Sequence, residues 1–422
     1  MDYFFEPKTI GVVGVSDVYG KVGYSLARKL VNKKGIFFVN LKRKKVFNKR
    51  CYPSLKVINK LLDLVIIAVP EKFIEGILEE CVLLGIKNVI IITAGVSNKV
   101  IFKFKDKMNI IGSNCFGLVN ARNGFDCTFA KDFPIVGKIG FISQSGALWS
   151  SIAAYSVRDN IGFSKFISLG DMHDIDFNDV LEYFLADDSI NVVLLYIEAL
   201  KDGRRFINLL KKNKKEIVIL KGGKTEKGAR AILSHTGSLA GSYNVYKTAI
   251  KQFGGYFAEG ILESIDSAKF LSFQGKFKGK RVVILTNAGG PGVLVSDNLE
   301  DLGYIVVNLP NLRFNLPSAW SKSNPIDILG DAQDDRYQAV LDRLTGNFFD
   351  ILIVLLTPQD MINEYKVAKV IVSYYKCSKK QIVCCFMGGE GVNKARLFLE
   401  SNNIICFRDL ERLIGLFKVL LI

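Results

Sequence analysis

Two histidines, His173 and His235, are all that the sequence carries, and no two of its cysteines stand at CxxC spacing. A structural zinc site is therefore not expected, and no metal is assigned to the chain. The eight cysteines, Cys51, Cys81, Cys115, Cys127, Cys377, Cys384, Cys385 and Cys406, are scattered, which predicts reduced thiols in a cytosolic protein. Long hydrophobic runs are missing too. Apolar stretches such as Leu64–Val69 and Val192–Tyr196 are strand-length, short of the roughly 20 residues of a membrane span. The opening Met1-Asp2-Tyr3-Phe4-Phe5-Glu6-Pro7-Lys8 has neither the basic start nor the apolar stretch of a signal peptide. A soluble, cytoplasmic protein with no membrane partner is expected. Low-complexity and Pro-rich tracts are absent as well. The net charge of +16 raises nucleic acid as a partner. Yet the longest basic run is Lys42-Arg43-Lys44-Lys45, with no recognition-helix or RNA-binding motif beside it. No nucleic-acid partner is expected; lysines spread over solvated faces, or an anionic ligand, account for the charge.

What is present is an ordinary globular balance, 49% hydrophobic and 23% charged. Short apolar, β-rich runs alternate with helical patterns, the pattern of parallel sheets covered by helices. Strands are predicted at Thr9–Val13, Gly35–Asn40, Leu64–Val69, Asn88–Thr93 and Asn109–Ile111, with helices at Tyr24–Asn32 and Phe73–Leu84. A second set reads at Gly140–Ser143, Lys165–Ser168, Asn191–Ile197 and Glu216–Lys221. A third follows the polar linker at 273–280, at Arg281–Thr286, Tyr304–Val307, Phe349–Thr357 and Gln381–Met387. Three α/β domains are predicted, 1–128, 129–272 and 273–422, each of ordinary domain size.

Four turns carry chemistry. Gly11-Val12-Val13-Gly14-Val15-Ser16-Asp17-Val18-Tyr19-Gly20-Lys21-Val22-Gly23 leaves a strand and opens a helix, where glycines admit a phosphate to the backbone. It is not a proper GxGxxG, and a merely structural turn is the alternative. The next strand ends Val39-Asn40-Leu41-Lys42-Arg43, with a cation where an NAD site would carry an acid. That suits a phosphorylated ribose, as in CoA or NADP. Ile142-Ser143-Gln144-Ser145-Gly146-Ala147-Leu148 runs from a strand through hydroxyl residues into a helix, a phosphate cradle or a plain N-cap. Leu285-Thr286-Asn287-Ala288-Gly289-Gly290-Pro291 offers another helix start for an anion, or a tight turn. Between them, His235 stands in the polar, Gly-rich stretch Gly228–Gly241, read as a mobile loop. A neutral imidazole is a competent nucleophile toward phosphorus. Glu198, at the end of Asn191–Ile197, is placed to fix its tautomer. His173, among acids in a loop, receives no catalytic role.

Ser143-Gln144-Ser145-Gly146-Ala147, Tyr196-Ile197-Glu198, Ser234-His235-Thr236-Gly237-Ser238-Leu239-Ala240-Gly241, Thr286-Asn287-Ala288-Gly289-Gly290 and Asn324-Pro325-Ile326-Asp327 follow one another in that order. The sequence thereby resembles the acyl-CoA synthetase (NDP-forming) family of the succinyl-CoA synthetase superfamily. Over nearly its whole length it looks like the α subunits of that family's ADP-forming acetyl-CoA synthetases. The resemblance implies a Rossmann-like CoA-binding domain followed by two flavodoxin-like domains. CoA would meet Gly14, Ser16, Asp17, Val18, Tyr19, Lys42, Val69, Pro70, Thr93, Ala94 and Gly95, with Asn114 near the thiol. Phosphate would be held by Ser143, Gln144, Ser145, Gly146 and Ala147 and by Gly289 and Gly290, the two helix starts together stabilising a phosphohistidine. The implied catalytic residues are His235 and Glu198. The implied reaction converts acyl-CoA, ADP and inorganic phosphate into acid, CoA and ATP through an acyl phosphate and a phosphohistidine. The nucleotide and its Mg would sit on an ATP-grasp β subunit in an α2β2 heterotetramer. Leu41, Ser113, Val96 and Asp171 stand where the family commonly has Pro, Pro, Phe and Asn. Two other readings are a non-catalytic CoA-binding regulatory relative and an NADP-dependent Rossmann oxidoreductase. The first is at odds with retention of His235 and Glu198, and the second leaves the later domains without a purpose.

Overall fold

The computed structural model describes residues 1–236 and 241–421, apart from the side chains of His235 and Thr236. The protein is a mixed α/β chain with three largely parallel sheets. It forms two compact units, Met1–Phe257 and Ala258–Ile422.

The first unit holds two sheets. The strands of the first are β1 (Ile10–Val13), β2 (Ile36–Val39), β3 (Lys45–Val46), β4 (Lys49–Tyr52), β5 (Leu64–Ile67), β6 (Asn88–Ile91) and β7 (Asn109–Gly112). Their order in space is β3-β4-β2-β1-β5-β6-β7, parallel except for the hairpin β3–β4. Every residue of β1, β5 and β6 is buried. That is why these strands read as unbroken apolar runs rather than alternating ones: helices cover both faces. The helix Val22–Leu30 turns Gly23, Leu26, Ala27 and Leu30 inward, one face at helical spacing.

The second sheet comprises β8 (Leu118–Asn120), β9 (Phe125–Asp126), β10 (Ile135–Ser143), β11 (Gly162–Ser168), β12 (Val192–Ile197), β13 (Glu216–Lys221) and β14 (Tyr256–Ala258). Its order is β14-β13-β12-β10-β11-β8-β9. β8 runs antiparallel to β11, pairing Val119 with Phe166. So a segment inside the range 1–128 completes the sheet of the following range. The chain's opening helix, Asp2–Phe5, goes the same way. Phe4 and Phe5 are fully buried, and the Phe5 ring lies 5.6 Å from both Tyr183 and Phe184.

The second unit is built on β15 (Arg281–Thr286), β16 (Ile305–Val306), β17 (Ile326–Asp327), β18 (Ile351–Leu356), β19 (Gln381–Phe386) and β20 (Ile405–Phe407). The order is β16-β15-β18-β19-β20, with β17 also paired to β15. The helix Ile261–Gln274, which falls in the range 129–272 up to its last two residues, lies in this unit, and the unit boundary at 257/258 precedes it.

Ion pairs without solvent hold the helices of this second unit. Lys269 of Ile261–Gln274 and Arg396 of Asn393–Ser401 both reach Glu400, at 2.6 and 3.0 Å, and all three are about 3% exposed. Asp266 takes Arg412 of the last helix at 2.5 Å. Burial makes each charge costly unless its partner is kept. Glu400→Gln, which keeps the volume and leaves two buried cations facing a neutral amide, is expected to lower unfolding stability by about 3–5 kcal/mol. Urea unfolding of the full chain measures it; a loss within error would show that the network is not holding the helices.

Candidate active site

Gly14 follows β1 with φ +94°, and a methyl group there would lie 2.2 Å from the Ala68 carbonyl oxygen after β5. A methyl group on Gly23 would meet Gly14 O at 2.0 Å. These glycines let strand, turn and helix touch backbone to backbone, which brings the Ser16–Tyr19 turn to the carboxyl end of the sheet. The turn is set internally: the Val18 N–H donates to Ser16 Oγ at 3.0 Å. Asn40, which the sequence reading gave no role, fixes the neighbouring loop. Its amide donates to Val15 O at 2.7 Å, while its oxygen accepts the N–H groups of Lys42 and Arg43 at 2.8 and 3.0 Å. Lys42 is exposed beside this turn, and Asp17 is tied to Arg43 at 3.2 Å.

Across the same unit, β10 ends at buried Ser143, whose hydroxyl donates to Ser145 O at 2.7 Å. The helix Gly146–Arg158 starts immediately after. Its first turn leaves backbone N–H groups without intrahelical acceptors, a natural seat for an anion. The Gln144 oxygen accepts the N–H groups of Glu198 and Ala199 at 2.5 and 2.8 Å. One side chain thus locks the cradle to the end of β12, where buried Glu198 stands. Sequence reading placed Gln144 in the cradle but had no means of seeing this bridge.

One cavity of about 540 Å³ lies between the ends of β5, β6 and β7 and the helix start at Gly146. Val69, Pro70, Thr93, Ala94 and Asn114 line it from the side of the first sheet, and Gln144, Ser145, Gly146 and Ala147 from the second. Gly14, Ser16, Asp17, Val18, Tyr19, Lys42 and Gly95 do not line it; Tyr19 is 86% exposed. The cavity also takes in Val22, from the first glycine-rich motif, and Ala68, Ile92, Cys115, Phe116 and Phe129, which no sequence motif marked. Cys115 is no nucleophile, because burial pushes its thiol up to about 12. Ser113 and Asp171 answer one another: the Ser113 hydroxyl and the Asn114 amide donate to the Asp171 carboxylate at 2.8 and 3.3 Å. His173 lies outside this arrangement, with Nε2 3.9 Å from Asp171 and its pKa lowered by burial.

The helix Glu226–Thr236 carries His235 in its last turn. This corrects the expectation of a loop at that position: the run Ala229–Leu233 has strong helix formers, and Ile232 is buried beneath it. The His235 side chain and residues 237–240 lie outside the described residues. Gly289 and Gly290 open the helix Gly289–Asp301 of the second unit, where an Asp327 oxygen lies 3.0 Å from the space a Gly289 side chain would take.

A cation missed in the sequence stands beside Glu198. Lys221 ends β13, paired in register with Ile197, and is 4% exposed, its ammonium 5.0 Å from the Tyr246 ring. Burial lowers its pKa from 10.5 to about 8, against the opposing pull of Glu198. Burial, with Glu198 adding to it, raises the Tyr196 hydroxyl to about 12. Below pH 8 folding buries a charged lysine; above 10.5 the amine is neutral folded and unfolded alike. Between those values the unfolded chain binds the extra proton, so stability gains with rising pH. The stability of wild type relative to Lys221→Met should therefore be flat below pH 8 and rise between pH 8 and 10.5. Urea midpoints across that range check the sign.

Comparison with known proteins places these features in a family. The CoA binding domain matches residues 8–121, the succinyl-CoA ligase like flavodoxin domain 136–271, and the ligase-CoA domain 282–412. The α subunit of acetate–CoA ligase [ADP-forming] II from Pyrococcus furiosus is 39% identical over 96% of this chain and 93% of its own length. Acetate–CoA ligase [ADP-forming] I from Archaeoglobus fulgidus is 36% identical over all of this chain, which spans 63% of that protein's length. The structure of dinucleotide-forming acetyl-coenzyme A synthetase 1 from Candidatus Korarchaeum cryptofilum, in complex with phosphate and ADP, shares 32% identity and a TM-score of 0.90. That match covers 99% of this chain and 96% of the other.

Proposed function

The chain belongs to the ADP-forming acetate–CoA ligase family, and we propose that it is an α subunit interconverting acyl-CoA, ADP and phosphate with acid, CoA and ATP. The observation that carries the reading is the shared cavity, in which the first-sheet turns and the helix start at Gly146 face one space of about 540 Å³. A thioester entering from the first and a phosphate seated on the second would meet there.

In this reading the N–H groups at Gly146 and Ala147 orient the phosphate and neutralise part of its charge. A phosphate oxygen attacks the thioester carbonyl, the C–S bond breaks, and CoA leaves as the thiolate. The same donors favour the charge that develops in the transition state, at no cost of reorganisation because Gln144 already fixes the cradle. His235 then attacks the phosphorus of the acyl phosphate, the P–O bond breaks, and the acid is released as carboxylate. Glu198 stabilises the imidazole as it gains positive character. Phosphohistidine passes the phosphoryl group to ADP, restoring the imidazole. The nucleotide and Mg would sit on a partner subunit of ATP-grasp type, in an α2β2 assembly. CoA would use the Gly14–Tyr19 turn and exposed Lys42, whose ammonium would meet a 3′-phosphate.

Two experiments test the reading. Full-length chain incubated with acyl-CoA and labelled phosphate, without nucleotide, should acquire an acid-labile, base-stable label. His235→Ala should abolish the label, and Glu198→Gln should slow it on the order of 10²-fold or more. Labelling of His235→Ala at the wild-type rate would sink the assignment. In a direct titration Lys42→Ala should weaken CoA while leaving dephospho-CoA unchanged; equal losses for both would remove Lys42 from the 3′-phosphate.

A further inference from the structure

We propose that Lys221 is a positioning residue of the phosphate site, its ammonium balancing the Glu198 carboxylate so that an anion can come up to that carboxylate. The inference rests on the ligase reading and adds to it the group that lets a buried acid and a phosphate share one place.

The chain at Glu198 is clamped by side chains from two other elements. Gln144 accepts the N–H groups of Glu198 and Ala199, and the Tyr246 hydroxyl of the helix Tyr243–Gln252 accepts that of Leu200 at 3.2 Å. Gln144 also lines the cavity, so one glutamine side chain spans from the cradle to Glu198, which is 6% exposed. Two anions that close repel strongly where water is scarce. A cation is needed beside them, and the sheet supplies Lys221. β13 runs parallel to β12 and sets Lys221 opposite Ile197, the residue before Glu198. Its ammonium donates to Gly222 O and lies 5.0 Å from the Tyr246 ring. Tyr246 therefore holds both the chain that follows Glu198 and the cation that serves it.

A lysine is otherwise a poor choice for this place. It is 4% exposed, and burial takes its pKa down to about 8. A purely structural role would be filled better by an apolar side chain. The surrounding elements bring it no other charge. On β12 the Tyr196 hydroxyl is hydrogen-bonded to Glu198 and is raised to about 12, so it stays neutral. Burial raises Tyr246 as well. The strand on the far side, β14, brings Tyr256, and the end of β10 brings neutral Gln144. The helix Glu226–Thr236 brings apolar Ile232, which meets the Tyr196 hydroxyl over Gly222. Lys224 is exposed and lies over the Tyr243 ring. Among the described residues, Glu198 is the charge that acts on the Lys221 ammonium.

The test follows the label that the full chain acquires from acyl-CoA and labelled phosphate, without nucleotide, over a phosphate series at pH 7.5 and pH 9.5. In wild type the phosphate concentration that half-saturates the labelling rate should rise on the order of tenfold between them, because the ammonium loses its proton near pH 8 and one unit charge leaves the neighbourhood of the anion. Lys221→Met should show the raised value at both pH values, with its maximal rate changed less. Lys221→Arg, charged throughout, should keep the low value at both. In Glu198→Gln/Lys221→Met labelling should be slow, yet half-saturation should return toward the wild-type value, since no carboxylate is left to balance. A packing defect produces no such coupling. Lys221→Gln covers the case in which the methionine variant fails to fold. A pH-independent wild-type value, a folded Lys221→Met with wild-type half-saturation, or a double variant as weak for phosphate as Lys221→Met would each overturn the proposal. Wild type that acquired no label at all would bring down the ligase reading itself.

Discussion

Two missing side chains govern what can approach the strand ends of the first unit. At Gly14 a methyl group would collide with the Ala68 carbonyl, and at Gly146 with the Cβ of Phe116. Both collisions are with atoms that cannot swing aside. The consequence is close contact between a βα turn and the neighbouring strand end in one case, and between a helix start and a fixed aromatic in the other. Backbone N–H groups at such places are aimed by packing rather than by flexible side chains, so they meet an anion without first having to be ordered. The Asn40 clasp at the first turn and the Gln144 bridge at the cavity are both arranged around turns whose path these two positions dictate.

The central strands of all three sheets were legible in the sequence because burial on both faces leaves an unbroken apolar run. Leu64–Ile67, Val192–Ile197, Ile351–Leu356 and Gln381–Phe386 are such strands. The edges were not. β8 and β9 have three and two residues, too few for any periodicity to register. The hairpin β3–β4 turns through Phe47 and Asn48, both at positive φ, with no glycine to announce it. At the site, motif positions such as Ser145 and Gly146 were readable because small hydroxyl and glycine residues follow a buried strand there. Phe116, Phe129 and Lys221 were not: an aromatic or a lysine carries no mark of which face it presents. The Ser113–Asp171 contact explains how two departures from the family pattern coexist. The carboxylate that stands in place of the usual amide is taken up by the hydroxyl that stands in place of the usual proline.

Charge around Glu198 is balanced locally. A buried carboxylate near a phosphate would work against the anion, but Lys221 lies beside it at the end of the adjacent strand, packed on the Tyr246 ring. The two buried charges offset one another, so the electrostatic character of the cavity falls to the helix start. In the proposed reaction this division would let Glu198 serve His235 without repelling the phosphoryl group.

The pairing of β8 with β11 joins residues near 119 to residues near 166. A ribosome delivers the chain from its amino end, so the outer strands of the second sheet emerge well before the strand they pair with. During that interval β8 has only β9 as a neighbour, and its other edge stays open. The first sheet can close early; the segment that leaves it has to wait. Such an open edge is what holdase chaperones shield and what mispairs when synthesis crowds nascent chains together. The rhythm of translation across residues 121–168 therefore bears on the yield of correctly assembled protein, and slow codons there would lengthen the exposure rather than relieve it.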